Sequence, residues 1–227
     1  MATPSSEKPV RQAFTAELEQ LRIQVELMGV RVDENLERTR EVLRSGDADL
    51  ALVTLQADDL IDAMNVSLTE RCYDLLSRES PVAGDLRFVV SVLRVLSELE
   101  RIGDLALRVV KLAPDWELLR AHPATFDLLL SMADTAVEQY RTALRAWSAQ
   151  DLGLASELAD QRPMEAFTER FSRDLLGIEG PDAVLAAVRT LVAGRSLDRI
   201  ADHAAIIGAR IRYLITGDPA HLTAEIR

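Results

Sequence analysis

The residues best suited to chemistry are two pairs of carboxylates written almost identically, nearly a hundred positions apart. The first pair is Glu100 and Asp104, and the second is Asp198 and Asp202; in each motif Arg-Ile follows the first acid. Residues four apart lie on one face of a helix, where like charges repel by a few tenths of a kcal/mol. Because the chain repeats this unfavourable spacing, we infer that it gains something from it, and the simplest gain is a bound cation.

A local ion pair is the alternative explanation for each motif. Arg108 lies four residues after Asp104, and Arg195 lies three residues before Asp198, so both acids have a base within one helical turn. For one motif alone this explanation would be preferred, but the repetition favours cation binding.

A third acidic group belongs to an earlier segment. Asp58 and Asp62 are again four residues apart, in a stretch with helical apolar spacing. The corresponding place in the second half of the chain holds Asp160, but Pro163 and Met164 follow where a second acid is expected. The candidate metal ligands are therefore Asp58, Asp62, Glu100, Asp104, Asp160, Asp198 and Asp202.

Composition predicts a helical protein that binds no nucleic acid. Of 227 residues, 48% are hydrophobic and only 4% aromatic, and Ala, Leu, Arg and Glu dominate. The formal net charge of −11 disfavours a nucleic-acid partner, which needs a basic surface. A single cysteine, Cys72, indicates a cytoplasmic protein without an internal disulfide. No leader or membrane span is recognisable, so any membrane association is expected to be indirect.

Six long amphipathic segments, separated by Gly, Pro and Asp breaks, position these acids. They predict an all-α fold of two tandem three-helix bundles, six long antiparallel helices related by internal duplication. The predicted divisions are a disordered tail, the first bundle, a linker, the second bundle and a C-terminal tail, over residues 1–10, 11–114, 115–122, 123–217 and 218–227.

Antiparallel packing would bring the acids of neighbouring helices together. In the first bundle Asp58 and Asp62 can face Glu100 and Asp104, and four carboxylates at close range need a compensating cation. Such an oxygen cage suits Mg²⁺, Mn²⁺, Ca²⁺ or iron better than zinc. His203 is displaced around its helix from the acidic line, so we do not count it among the expected ligands.

The order of these motifs resembles the PhoU family of phosphate-transport accessory and regulatory proteins. The resemblance rests on Glu100-Arg-Ile-Gly-Asp104 and Asp198-Arg-Ile-Ala-Asp202, on Asp58-Asp-Leu-Ile-Asp62, and on the loop Pro81-Val-Ala-Gly-Asp85-Leu-Arg87. It extends over nearly the whole chain. No single motif is specific, whereas their order and duplication are.

This resemblance implies a duplicated helical bundle whose acidic motifs hold multinuclear metal clusters. It further implies a cytoplasmic, non-enzymatic regulator, usually a homodimer, that contacts the ATPase subunit of the phosphate ABC transporter and a sensor histidine kinase. Such a protein represses phosphate uptake and the phosphate-starvation response when phosphate is plentiful.

Two other functions remain open from the residues. A carboxylate-bridged di-metal enzyme of ferritin-like style would use Glu-x-x-His pairs, which do not occur in this sequence. A metal-free helical adaptor would use the acidic faces for docking alone. Because Met164 replaces an acid and Pro163 disturbs the helix, we also expect the first bundle to bind metal more tightly than the second.

Overall fold

The computed structural model describes residues 7–79, 81 and 83–226, and eight α-helices account for most of them. They are α1 (Glu7–Ser45), α2 (Ala48–Glu79), α3 (Ala83–Val110), α4 (Trp116–Arg120), α5 (Pro123–Ala149), α6 (Leu152–Asp160), α7 (Glu165–Leu176) and α8 (Ala183–Thr216). Two 3-10 helices, Ala113–Asp115 and Pro219–Ile226, complete the described backbone, which contains no strand. The predicted all-α fold is confirmed.

The duplication is visible in the local geometry of the first turn in each half. Asp47 accepts a hydrogen bond from the Leu50 amide (2.9 Å), and Asp151 accepts one from the Leu154 amide (3.0 Å), so each aspartate caps the helix that follows it. The residue before each cap, Gly46 or Gln150, has a positive φ of 71° or 48°. The same turn therefore ends the first helix of each half.

The helices form two bundles that share one hydrophobic core. Helices α1, α2 and α3 pack on one another, as do α5, α6 and α8, and the halves meet where α3 packs on α8 and α1 packs on α5. Buried side chains from both halves belong to a single apolar cluster, which includes Met28, Leu96, Tyr140 and Ile207.

Polar contacts fix the α1–α5 junction. The Tyr140 hydroxyl donates a 2.6 Å hydrogen bond to the Gly29 carbonyl, and Arg141 pairs with Asp33 (2.8 Å) and Glu37 (2.9 Å). A Cβ atom at Gly29 would lie only 2.7 Å from Leu144 Cδ1, so a side chain there would require Leu144 to shift. The bundles are thus in direct contact rather than separated by a flexible linker.

The second half departs from the first at Pro163. The middle helix α2 is continuous, whereas its counterpart is divided into α6 and α7, with Gln161 in an extended conformation between them. Proline lacks an amide proton and disfavours a helical conformation in the residue before it, which explains the break.

The structure adds helical content at the predicted boundaries. The predicted linker over 115–122 contains α4, and the predicted C-terminal tail over 218–227 contains a 3-10 helix that packs against α8. Of the predicted N-terminal tail, residues 1–6 lie outside the described residues, and α1 has already begun at Glu7.

Candidate metal sites

The first acidic face consists of Asp58 and Asp62 on α2 with Glu100 and Asp104 on α3. Asp58 lies where α2 crosses Gly103: its Oδ1 atom would be 3.3 Å from a Cβ atom at that position. Glycine therefore leaves the space into which the Asp58 carboxylate projects. The structure brings together the four acids that helical spacing places on facing sides of α2 and α3.

These four carboxylates repel one another, and the only base that acts on Asp58 or Glu100 among the described residues is Arg101, whose charge lowers the pKa of Glu100. Asp58 is only 8% exposed, and burial, followed by repulsion from Asp62 and Asp104, raises the pKa of its carboxyl group to about 6. Burial and the same two neighbours also raise the pKa of Glu100. In the part of the chain that the structure describes, none of the four forms an ion pair, and the pairing of Arg108 with Asp104 that was the alternative explanation is not made.

The second acidic face consists of Asp198 and Asp202 on α8 with Glu165 at the start of α7. Arg195 pairs with Asp198 at 3.0 Å, and Arg199 pairs with Asp202 at 3.3 Å. Burial and the charge of Asp202 raise the pKa of Asp198, while both arginines act to lower it. Here the local ion pairs that the sequence offers are formed.

Asp160 does not join this second face. Its side chain is 69% exposed and pairs with Arg212 at 2.9 Å. The acid that lies with Asp198 and Asp202 is Glu165, and these three line a pocket of about 260 Å³. Sequence reasoning missed Glu165 because helical spacing cannot be continued across the break at Pro163.

The donor chemistry of both faces fits a hard cation. All of the acidic donors are carboxylate oxygens, the ligands that Mg²⁺, Mn²⁺, Ca²⁺ and iron accept. As the side chains stand, no three Asp, Glu, His or Cys groups among the side chains that the structure describes are arranged to hold one ion. Binding would therefore require rotation of the carboxylates toward a common point. Cation binding would relieve more repulsion at the first face, because its four acids are unpaired.

His203 has a different role from the acidic faces. Its Nδ1 atom lies 2.5 Å from Oε2 of Glu98, a carboxylate that is fully buried where α3 packs on α8. Arg94 and Arg101 also pair with Glu98, at 3.2 and 3.1 Å. Sequence reasoning missed Glu98, although it falls among the buried positions of α3 between Val95 and Ile102.

Fold and faces together define an internally duplicated, all-helical protein with an acidic pair on the last long helix of each half. A family model described as PhoU domain matches residues 25–113 and again residues 129–211. The chain therefore belongs to the PhoU family, and its two halves are two copies of the domain, as the sequence resemblance indicated.

Individual relatives support this assignment over most of the chain. The phosphate-specific transport system accessory protein PhoU of Edwardsiella tarda is 29% identical, covering 90% of this chain and 85% of the relative. The PhoU homolog of Pseudomonas putida is 30% identical, covering 96% and 89%. The crystal structure of PhoU from Pseudomonas aeruginosa superposes with a TM-score of 0.84 at 30% identity, covering 90% of this chain and all of that one.

The family defines the general function, which is that of an accessory and regulatory protein of phosphate-specific transport. None of the described helices combines the length and apolar character that a bilayer crossing requires.

Proposed function

We propose that this protein is a cytoplasmic negative regulator of phosphate uptake and of the phosphate-starvation response. It would act without catalysis, as a homodimer, and as an adaptor between the ATPase subunit of the phosphate ABC transporter and a sensor histidine kinase. The observation that carries the proposal is the match of both halves to the PhoU domain. The names of the relatives support an accessory role in phosphate transport.

The adaptor is proposed to bind metal through its acidic faces. In the first half a cation would be held by Asp58, Asp62, Glu100 and Asp104, none of which forms an ion pair with a described base, although the charge of Arg101 acts to lower the pKa of Glu100. A weaker site in the second half would consist of Glu165, Asp198 and Asp202. It would be weaker because the two aspartates are already ion-paired with Arg195 and Arg199. A bound cation would supply positive charge that removes the repulsion between the acids.

A pull-down at high and low phosphate tests the regulatory role. The tagged full-length chain would be recovered from cells of its own organism, and captured proteins identified by mass spectrometry. We expect the transporter ATPase and a histidine kinase at high phosphate and less of both at low phosphate. Recovery of neither at either phosphate level would contradict the proposal.

Elemental analysis of the purified protein tests the metal. Manganese, magnesium or iron retained by the wild type, and lost from the Asp58→Asn/Glu100→Gln variant, would support the first face as the site. A protein that takes up no metal would instead be the metal-free adaptor. Oxygen consumption on addition of ferrous iron would indicate the ferritin-like enzyme.

A further inference from the structure

The N-terminal part of α8 carries apolar side chains that the described structure leaves uncovered. Five large apolar residues within nine positions are 39 to 80% exposed: Val184, Leu185, Val188, Leu191 and Val192. Each of the other four lies three or four residues from Val188, so the five side chains are neighbours on one side of the helix. Single exposed apolar residues are ordinary, but this set, which we call the α8 stripe, is continuous over about 12 Å of helix.

The opposite side of the same segment is packed inside the second half. Ala186, Thr190 and Ala193 are buried, and the Phe171 ring of α7 occupies the space that the absent side chain of Gly194 leaves open. A rotation of α8 that covered the stripe would therefore expose this packed side. The stripe can be buried only by something outside the described chain.

The apolar character of the stripe belongs to the second half and not to the duplicated domain. With the two acidic motifs aligned, Leu185 corresponds to Arg87 of α3. In the same alignment Val192 corresponds to Arg94. The second copy thus has apolar residues at two places where the first copy has charged ones, which is the difference that burial against another surface requires.

The α8 stripe is symmetric about Val188. Val184 and Val192 lie four residues to either side of it, and Leu185 and Leu191 lie three residues to either side. In a two-fold interface, residue i of one copy contacts residue j of the other, and j contacts i. Two antiparallel α8 helices centred on Val188 would therefore place valine against valine and leucine against leucine along the whole stripe.

The charges at the two ends of the stripe are complementary in the same arrangement. Asp182, six residues before Val188, makes no side-chain capping hydrogen bond. Arg195, seven residues after Val188, is 65% exposed although it pairs with Asp198 of its own chain, and a guanidinium has donors for a second carboxylate. Antiparallel pairing would bring each Arg195 beside the Asp182 of the other copy.

The net charge of the chain restricts what can cover the stripe. At −11, the chain is repelled by an anionic lipid surface, and two copies repel each other wherever their acidic surfaces meet. Between Asp182 and Arg195 the only charged residue is Arg189, whose Nε atom lies 3.0 Å from Asp115 of the same chain. Two copies can therefore approach along this segment without bringing unpaired like charges together.

We propose that the α8 stripe is the surface through which two copies of this chain pair, with their α8 helices antiparallel about a two-fold axis at Val188. Helices with apolar residues at alternating spacings of three and four pack side by side in this way. The inference deepens the homodimer of the proposed function and rests on that part of it alone.

Analytical ultracentrifugation of the full-length chain, with neither phosphate nor a transporter present, tests the surface. We expect a wild-type dimer at micromolar concentration. Val188→Glu places two carboxylates at the axis and should raise the Kd of the dimer at least about tenfold. The matched control is Leu27→Glu on α1, since Leu27 and Val188 are both 50% exposed; it should change the Kd by less than about twofold.

Cysteine cross-linking under mild oxidation tests the antiparallel arrangement. Val188→Cys should form a disulfide-linked dimer with itself. Val184→Cys and Val192→Cys should form one only when the two variants are mixed, because each position faces the other across the axis. The native Cys72 is fully buried, so the wild type is the control for other disulfides. Linkage of Val184→Cys to itself would contradict the arrangement.

A wild type that is monomeric at every concentration, or a dimer that Val188→Glu leaves intact, would overturn the proposal. Circular dichroism shows whether each variant is folded, and Val188→Ser provides a milder change if Val188→Glu is not. Co-sedimentation with vesicles of phosphatidylglycerol and phosphatidylethanolamine tests a lipid occupant. Vesicles that retain the wild type but not Val188→Glu would assign the stripe to lipid and contradict the paired helices.

Failure of this inference and failure of the proposed function give different results. A pull-down that recovers neither the transporter ATPase nor a kinase contradicts the regulatory role and leaves the dimer measurements unaffected. A monomeric wild type overturns the paired helices and leaves the pull-down to decide the regulatory role. If that monomer captures either protein and Val188→Glu does not, the stripe is the surface for that partner and not for a second copy.

Discussion

The two acidic faces arise from nearly the same motif and differ in what surrounds it. In both, an acidic pair four residues apart lies on the last long helix of its half. On α3 the acids meet two more carboxylates from α2 and no partner base, whereas on α8 each aspartate is paired with an arginine three residues before it. The motif determines the position of the acidic pair. The neighbouring residues determine whether its carboxylates are engaged in ion pairs or are available to bind a cation.

Cation affinity should show the largest difference between the faces. Replacing two ligands at the first face, by Asp58→Asn/Glu100→Gln, should weaken Mn²⁺ binding about thirtyfold, because affinity for hard cations depends on the number of charged oxygens. The matched change Asp198→Asn/Asp202→Asn should weaken total binding only about threefold. Isothermal titration with Mn²⁺ measures both. Equal losses of Mn²⁺ affinity in the two variants would mean that the ion pairs with arginine do not control whether the carboxylates are available to bind a cation.

The pH dependence of stability should separate the faces in the absence of metal. Asp58 has a folded-state pKa of about 6, above its ordinary 3.8, so the folded state holds the proton more tightly than the unfolded state. This contribution to stability is complete below about pH 4 and is lost as the pH rises through 6. Asp58→Asn should therefore stabilise the metal-free protein at pH 7, by on the order of 2 kcal/mol, and have little effect at pH 4.

Urea unfolding in chelator at the two pH values measures this effect. Asp198→Asn is the control, since its substitution also leaves Arg195 without a partner, and we expect a smaller gain from it. An Asp58→Asn variant with the same pH dependence as the wild type would show that this carboxyl group is not the one that titrates.

Removing the arginines should make the second face more like the first. In Arg195→Met/Arg199→Met, Asp198 and Asp202 lose their partners, so Mn²⁺ affinity at this face should rise about fivefold. Titration in an Asp58→Asn/Glu100→Gln background isolates the second face. A fall in the Mn²⁺ affinity of this variant would contradict the expected gain, because the arginines would then be orienting the acids rather than neutralising them.

The smallest expected effect distinguishes Glu165 from Asp160. In the same background, Glu165→Gln should reduce Mn²⁺ affinity at the second face about two- to threefold. Asp160→Asn should leave it unchanged, since Asp160 pairs with Arg212 outside the pocket. Titration of the two variants in parallel is sufficient, and a greater loss in Asp160→Asn would reverse the assignment.

The sequence predicted the features that follow from the regular spacing of residues along continuous helices. Apolar spacing predicted the long helices, and the Gly, Pro and Asp breaks predicted where they end. Asp58 and Glu100 could be placed together because both lie on continuous antiparallel helices whose register is nearly fixed by their short loop.

The features that sequence could not predict depend on contacts between distant segments. Once Pro163 interrupts the helix, the direction of the Glu165 side chain can no longer be inferred from that of the Asp160 side chain. The Glu98–His203 contact joins residues 105 positions apart, and no local spacing reveals such a pair. Arg195 lay close to Asp198 in sequence, as Arg108 did to Asp104, yet only the first pair forms.

The shared core limits which parts of the two halves can diverge in sequence after duplication. Since α3 packs on α8 and α1 on α5 without an intervening layer, each half shields apolar surface of the other. A fragment containing only one copy would have to expose that surface and would be prone to aggregate. The acidic faces lie outside this junction and are free to diverge: Arg195 of the second copy corresponds to Ser97 of the first. Arg199 corresponds to Arg101, which pairs with Glu98 instead of with the acidic face.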